Sequence, residues 1–190
     1  MANNGNNYAN VTTGKPKAGG AVFVAPAGTA VPMDAKTPLG EAFLCVGCIS
    51  TDGFTISHST SETSFKDWSG DDVLSDNDGY TENSKFTMVE TNEVNMKLVW
   101  GDDKVKAAED GGGLASFERS AFNDVEHVMV VETVLHGGGV ARDVVPRAKL
   151  TGVEDEVYQR GSLVSYGATF HDLKDSALGY CSKKHFAKTV

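Results

Sequence analysis

The stretch DVEHVMVVETVL, residues 124–135, runs into GGG at 137–139 and continues as VARDVVPRAKL, residues 140–150. Two long β-branched runs separated by glycines predict an antiparallel hairpin. Pro146 falls inside the second run and has no N–H for a ladder, so it is tolerated there only at an edge or a bulge. A long hairpin of this kind needs further strands to bury its apolar side chains, and the rest of the chain offers them. SLVSYGATFHDL (162–173) alternates, with Val164, Tyr166, Ala168 and Phe170 making an apolar even-numbered face. SKFTMVE alternates Phe86 and Met88 against Thr87 and Val89, and GYCSKKHFA (179–187) closes the set. Phe43, Cys45, Cys48 and Ile49 predict another strand with an irregularity at Gly47, followed by turn chemistry in TDG at 51–53.

Composition agrees with short strands and many connections. The 190 residues include 21 glycines, with 40% hydrophobic and 23% charged residues. That length suits one well-buried domain better than two. Eight to ten strands with at most one or two helices are expected, in a mainly β sandwich or barrel. Residues 1–18, rich in Asn, Gly and Thr, are expected as a flexible arm preceding a single domain over 19–190. The segment TNEVNMKLVWG (91–101) is ambiguous. Val94, Met96, Leu98 and Trp100 recur at period two, a strand pattern, whereas Thr91 as N-cap, Glu93 in a first turn and Gly101 as a stop are helix punctuation.

The net charge is −9 with a sequence pI near 4.9. Such a surface repels phosphates, which argues against a protein that grips nucleic acid. Residues 57–83 carry seven acids (Glu62, Asp67, Asp71, Asp72, Asp76, Asp78, Glu82) against the single base Lys66, and are expected as a long solvated loop. No basic-then-apolar leader opens the chain and no apolar stretch approaches the roughly 20 residues a bilayer needs, so synthesis in the cytosol without a membrane is expected. Three cysteines do not suggest a disulfide framework.

Candidate chemistry is sparse. Cys45 and Cys48 (CVGC) with Cys181 and His185 (CSKKH) offer four tetrahedral zinc ligands by type. On a strand, however, Cys45 and Cys48 point to opposite faces, and small buried hydrophobes account for them equally well. SDNDGYTE (75–82) resembles a calcium loop. With Gly79 as the loop glycine, Asp76 and Asp78 take positions 3 and 5, but Leu74 and Lys85 then stand where the first and twelfth ligands belong. An Asx-rich turn explains it better. His58, His127, His136, His171 and His185 accompany no GxSxG elbow, and the GGG runs at 111–113 and 137–139 lack the Lys-Ser/Thr of a phosphate loop. No catalytic, cofactor-binding or metal residues are therefore assigned.

The order of short blocks is more informative. GKPKAGGAVFVAPAGTAVPMDAKTPLGEAFLCVGCISTDGF (14–54), WSGDDV (68–73), FTMVETNEV (86–94), WGDDKV (100–105) and VVPRAKLTGV (144–153) together resemble the major tail (tail tube) proteins of long, non-contractile-tailed bacteriophages. The resemblance spans about residues 14–172 and departs at 107–124 and in the tail LGYCSKKHFAKTV. It implies a β-sandwich or barrel-like tail tube fold with one flanking α-helix, which selects helix for 91–101. It also implies a virion protein, without catalysis or cofactor, whose copies form stacked hexameric rings through which phage DNA passes as transient, non-specific cargo. The partners implied are the chain itself, a tape measure protein, a tail terminator and baseplate or distal tail proteins. Acids are then expected on exposed faces of lining strands, such as Glu126 and Glu132, and ring-to-ring contacts in the arm and in 57–83. The closely spaced prolines of 26–38 are expected to hold that stretch near-extended across a subunit boundary. Rival readings are a monomeric β-sandwich binding a glycan or metal through 57–83 and 104–124, a zinc-assisted enzyme, and a head–tail joining or terminator protein.

Overall fold

The structure is a computed structural model and describes residues 5–109, 111 and 113–187. Eleven strands and one α-helix occur among the described residues, one strand more than the sequence pattern indicates. In chain order the strands are β1 (Gly14–Pro16), β2 (Val22–Pro26), β3 (Leu44–Cys45), β4 (Ile49–Lys66) and β5 (Asp72–Met88). Helix α1 (Glu93–Trp100) follows, then β6 (Val105–Ala107), β7 (Leu114–Phe117), β8 (Glu126–Leu135), β9 (Val140–Val153), β10 (Tyr166–Asp172) and β11 (Lys183–Ala187). Nine strands form one antiparallel sheet in the order β3-β2-β8-β9-β10-β5-β4, with β1 also on β8 and β11 also on β9. Strands β6 and β7 make a separate hairpin.

The expected β8–β9 hairpin forms the middle of this sheet. Leu135 N–H donates to the Gly139 carbonyl at 2.7 Å, and Gly137 and Gly138 take positive φ in the turn. Met129 lies opposite Val145 but His127 opposite Ala148, so Pro146 sits in a bulge where no ladder donor is needed.

The two ends of the strand order, β3 and β4, are separated in sequence only by residues 46–48, so the sheet curls and is stitched shut there. Val46 N–H reaches the Val22 carbonyl and Val89 N–H the Cys48 carbonyl, both at 3.1 Å. Gly47 is required at the stitch. It has φ of 82°, and a Cβ there would stand 2.3 Å from the Glu90 carboxylate, which accepts the Cys48 N–H at 2.6 Å. The result is the barrel-like variant of a β-sandwich, mainly β as expected. The TDG segment does not turn the chain around: Ser50–Gly53 bulge out of β4 between Ile49 and Phe54.

Inside the curl lie Val22, Val24, Met129, Val131, Leu150, Ala168, Phe170, Phe86 and Met88, closed off by Met96, Leu98, Val99 and Trp100 of α1. The even-numbered face of β10 supplies Tyr166, Ala168 and Phe170, as its alternation predicts. Phe54, Phe86 and Phe170 stack in sequence with centroids 5.6 Å apart. Within 91–101, Glu93–Trp100 is helical. The cap is Asn92 rather than Thr91: its side chain accepts the Asn95 N–H at 2.9 Å. The period-two pattern misleads here because α1 is covered on two sides. Met96 and Leu98 belong to the core, and Trp100, also in the core, stacks on Phe117 of β7 and lies tilted against Phe122.

The opposite face of the β8–β9 pair holds a buried ion cluster. Glu132 and Arg142, directly opposite in the ladder, are 1% and 2% exposed. Arg142 donates Nε–H to Glu132 at 2.9 Å and a second bond from Nη2, and its Nη1 reaches the Asp34 carbonyl at 2.7 Å. Lys17 binds the other Glu132 oxygen. Burial alone would raise the Glu132 carboxyl, but its bonds to Lys17 and Arg142 hold it below the usual carboxylate range. The proline-rich stretch is therefore not extended. It bends at Pro26–Thr29, winds around the Asp34 carboxylate, which accepts the Lys36 and Thr37 N–H groups, and folds over Arg142.

Arg142→Ala would leave Glu132 buried with Lys17 as its one charged partner, and is expected to cost about 3–5 kcal/mol. Chemical denaturation of the isolated subunit measures this, and a loss below about 1 kcal/mol would contradict it.

Candidate assembly surface

At the turn end of the β8–β9 hairpin the sheet narrows to four strands in the order β1-β8-β9-β11. Strand β1 is laid on Leu135–Thr133 and β11 on Val140–Val144. Among the described residues the outer edges of both β1 and β11 are unpaired. Residues expected as a mobile arm are partly docked here: Gly14–Pro16 form β1, and Lys17 N–H donates to the Glu132 carbonyl. Residues 1–4 of that arm lie outside the described residues.

Edge strands are often guarded by lysines that discourage pairing, and Lys15, Lys17, Lys183 and Lys184 stand on or beside these two. Their charges are largely engaged within the subunit. Lys17 is tied to Glu132, Lys184 to Asp143 at 3.1 Å, and Lys183 lies 5.7 Å from the centre of the Tyr180 ring. The edges are thus free in backbone, and two of their four lysines, Lys17 and Lys184, are ion-paired within the subunit.

The second feature is the segment expected as an acidic loop. Residues 57–83 are instead the outer part of a two-stranded ribbon, with His58 opposite Glu82, Thr60 opposite Tyr80 and Phe65 opposite Leu74. Strand β10 accompanies β5 only as far as Asn83–His171, so beyond it the ribbon has no third strand among the described residues. From His58 to Lys66 it extends about 30 Å. Every residue from 57 to 80 is exposed. At the tip Asp67 N–H donates to the Asp71 carbonyl at 2.9 Å and Lys66 pairs with Asp72 at 3.0 Å. Around this acidic turn stand Phe65, Val73 and Leu74, all more than half exposed, and Trp68, fully exposed. A ribbon with an apolar tip and no supporting layer is marginal on its own in water.

The other sequence-derived candidates are placed differently from expectation. Asp76 and Asp78 belong to β5, Asp78 accepts the Thr63 hydroxyl, and Gly79 faces Ser61 in the ladder without positive φ, so the calcium-loop and Asx-turn readings both fail. Cys45 lies in β3 and Cys48 just beyond Gly47, while Cys181 precedes β11 and is influenced by Glu82 and Asp172. No three His, Cys, Asp or Glu side chains among the described residues form a metal-binding group. The histidines are scattered over β4, β8, the hairpin turn, β10 and β11; His58 hydrogen-bonds Tyr80. Glu132 is not an exposed lining acid, because Arg142 and Lys17 bury it. Glu126 is half-buried in a two-pronged pair with Arg147, both bonds 2.8 Å, which holds its carboxyl down. A groove of about 280 Å³ between α1 and β2, lined by Val24, Leu44, Val94, Leu98 and Val125, offers apolar surface. Lys97 at its rim is bound by Glu93 at 2.7 Å.

Sequence reasoning missed the ribbon's apolar tip and the burial of Glu82. For the tip, the signal was present as Phe65, Trp68, Val73 and Leu74 within ten residues. No helix among the described residues is long and apolar enough to cross a membrane.

A family model described as phage tail tube protein matches residues 1–181. No curated protein matches the chain.

In the unassembled subunit, amides of residues 61–77 should exchange with solvent far faster than those of β8 and β9. In Trp100→Phe, which leaves Trp68 as the one tryptophan, emission and acrylamide quenching should match free tryptophan. Protected ribbon amides or a shielded Trp68 would contradict the exposed ribbon.

Proposed function

The chain belongs to the phage tail tube protein family, and from that membership we propose that it is the repeating subunit of the tube, closing into six-membered rings that stack into the channel for phage DNA. It is a structural protein of the virion tail. The observation that carries the ring is the four-stranded patch β1-β8-β9-β11, with a border on each side that is unpaired among the described residues. Since each neighbouring pair in it is antiparallel, β1 and β11 run in opposite directions. Strand β11 of one copy can therefore join β1 of the next in an antiparallel ladder. That contact uses two different surfaces, and repeated by rotation it closes into a cycle rather than a dimer. Closure would remove both free edges and leave a continuous hydrogen-bonded wall.

The ribbon supports stacking. Projecting about 30 Å with an apolar tip, it reaches beyond its own domain, and a neighbouring ring would supply the third layer that it lacks. The net charge of −9 suits a conduit. Each phosphate gripped by Lys or Arg would add salt-dependent affinity, whereas an acidic protein lets DNA slide. Tape measure, tail terminator and baseplate or distal tail proteins are the partners this role calls for at the interior and the two ends.

Two truncations separate the contacts. Ending the chain after Ser182 removes β11 and should leave folded, non-associating subunits, with circular dichroism as the folding control. Replacing residues 60–80 by an Asn-Gly turn joins Ser59 to Thr81, direct ladder partners, and should leave rings that do not lengthen. Electron microscopy of each reads the outcome. Normal tubes from the first variant would refute edge joining; normal tubes from the second would refute stacking through the ribbon.

A further inference from the structure

The ribbon is rooted on two carboxyl groups in the protein interior. The ladder between β5 and β10 ends at the pair Asn83–His171, so the next residues outward, Glu82 and Asp172, come side by side. They are 3% and 1% exposed. Glu82 accepts the Tyr80 hydroxyl on Oε2 at 2.5 Å, and the same oxygen lies 3.3 Å from His58 Nδ1. Asp172 accepts the Ser84 hydroxyl on Oδ1 at 2.8 Å. The other two oxygens, Glu82 Oε1 and Asp172 Oδ2, are buried with no hydrogen-bond partner among the described residues. The groups facing the pair are His58 from β4, Tyr80 and Ser84 from β5, and Cys181 from the segment before β11, with Lys174 acting on Cys181. Neither acid has a lysine or arginine ion pair among the described residues.

Two adjacent buried carboxylates without a lysine or arginine beside them are strongly disfavoured, and two orphan oxygens add a desolvation cost. A metal ion would need further ligands, and among the described residues no third side chain completes such a group. A proton is the ion that fits, turning one carboxyl into a donor for the other. We propose that Glu82 and Asp172 share one proton at neutral pH, and that this proton-binding site latches the root of the ribbon to the barrel wall, so that its loss loosens the ribbon.

Burial pushes the Asp172 carboxyl up to about 7, the Ser84 hydrogen bond opposes the rise, and the Glu82 charge adds to it. An unfolded aspartate releases its proton near pH 4. The stabilisation from the retained proton is therefore complete below about pH 4 and fades as pH climbs through about 7. Above that, the charge gained by Asp172 is set against Glu82 where β5 leaves the wall. That the latch governs tube growth rests on the ribbon being the ring-to-ring contact; the latch itself does not.

The test uses the full-length, unassembled subunit. Carbon-13 carboxyl titration by NMR should show one interior carboxyl changing state near pH 7, absent in Asp172→Asn. Exchange at amides 80–84, corrected for intrinsic rate, should speed up roughly tenfold or more between pH 6 and 8.5 in the natural chain, as expected for moving a unit or more past the titration point. In Asp172→Asn it should stay flat, and Glu82→Gln serves as the second variant should the first fail to fold. Both carboxyls titrating below pH 5, an unchanged pH profile in the folded variant, or a stoichiometric divalent cation at the pair would each overturn the proposal. None of these outcomes bears on whether the subunit builds tubes.

Discussion

The backbone ladder between β8 and β9 is the interaction on which the rest of the fold depends. Each of these strands offers its outer edge to two partners in succession: β2 then β1 along β8, and β10 then β11 along β9. Near the start of β8 the sheet goes on through β2 and β3 on one side and β10, β5 and β4 on the other, until residues 46–48 stitch it shut around the core. Near the turn it stops after one further strand on each side. One hairpin thus carries a closed end, which supplies stability, and an open end, which supplies unmet backbone pairing. The Pro146 bulge lies between the two regimes and lets the hairpin bend from one to the other.

The buried ions fit this division. Arg142, Glu132 and Lys17 bind β8, β9, the stretch after β1 and the Asp34 loop into one unit at the open end. An ion cluster of this kind adds little net stability over an apolar core, but it fixes which groups meet. Here it holds the segment leading from β1 in register and neutralises the lysine beside the free edge. The β5–β10 end shows the opposite arrangement: among the described residues Glu82 and Asp172 meet without a lysine or arginine partner.

What was legible in the sequence follows from whether a segment has one dry face. The β8–β9 hairpin, the even face of β10 and the need for an edge or a bulge at Pro146 all show in the residues, because burial imposes a pattern on them. The ribbon has water on both faces, so nothing selects alternation, and its Ser, Asp and Asn carry low strand propensity. It reads as a loop although it is the longest pairing in the molecule. Helix α1 failed by period because β7 and the barrel bury it from both sides; the end signals at Thr91, Glu93 and Gly101 pointed to a helix, and the family resemblance decided for it. Glu132 shows the same limit for charge. Its even spacing with Glu126 predicted a shared face, but its burial is set by Lys17 and the Asp34 loop, both about a hundred residues away.

The central claim is that sheet borders left open within one chain are closed by further copies of it. Electron microscopy of the purified protein over rising concentration tests this most directly. Hollow rods with a continuous strand-built wall, in which β11 of each copy meets β1 of its neighbour, are the predicted result. Dispersed single subunits at every concentration, with the margins of β1 and β11 covered by their own chain, would contradict it.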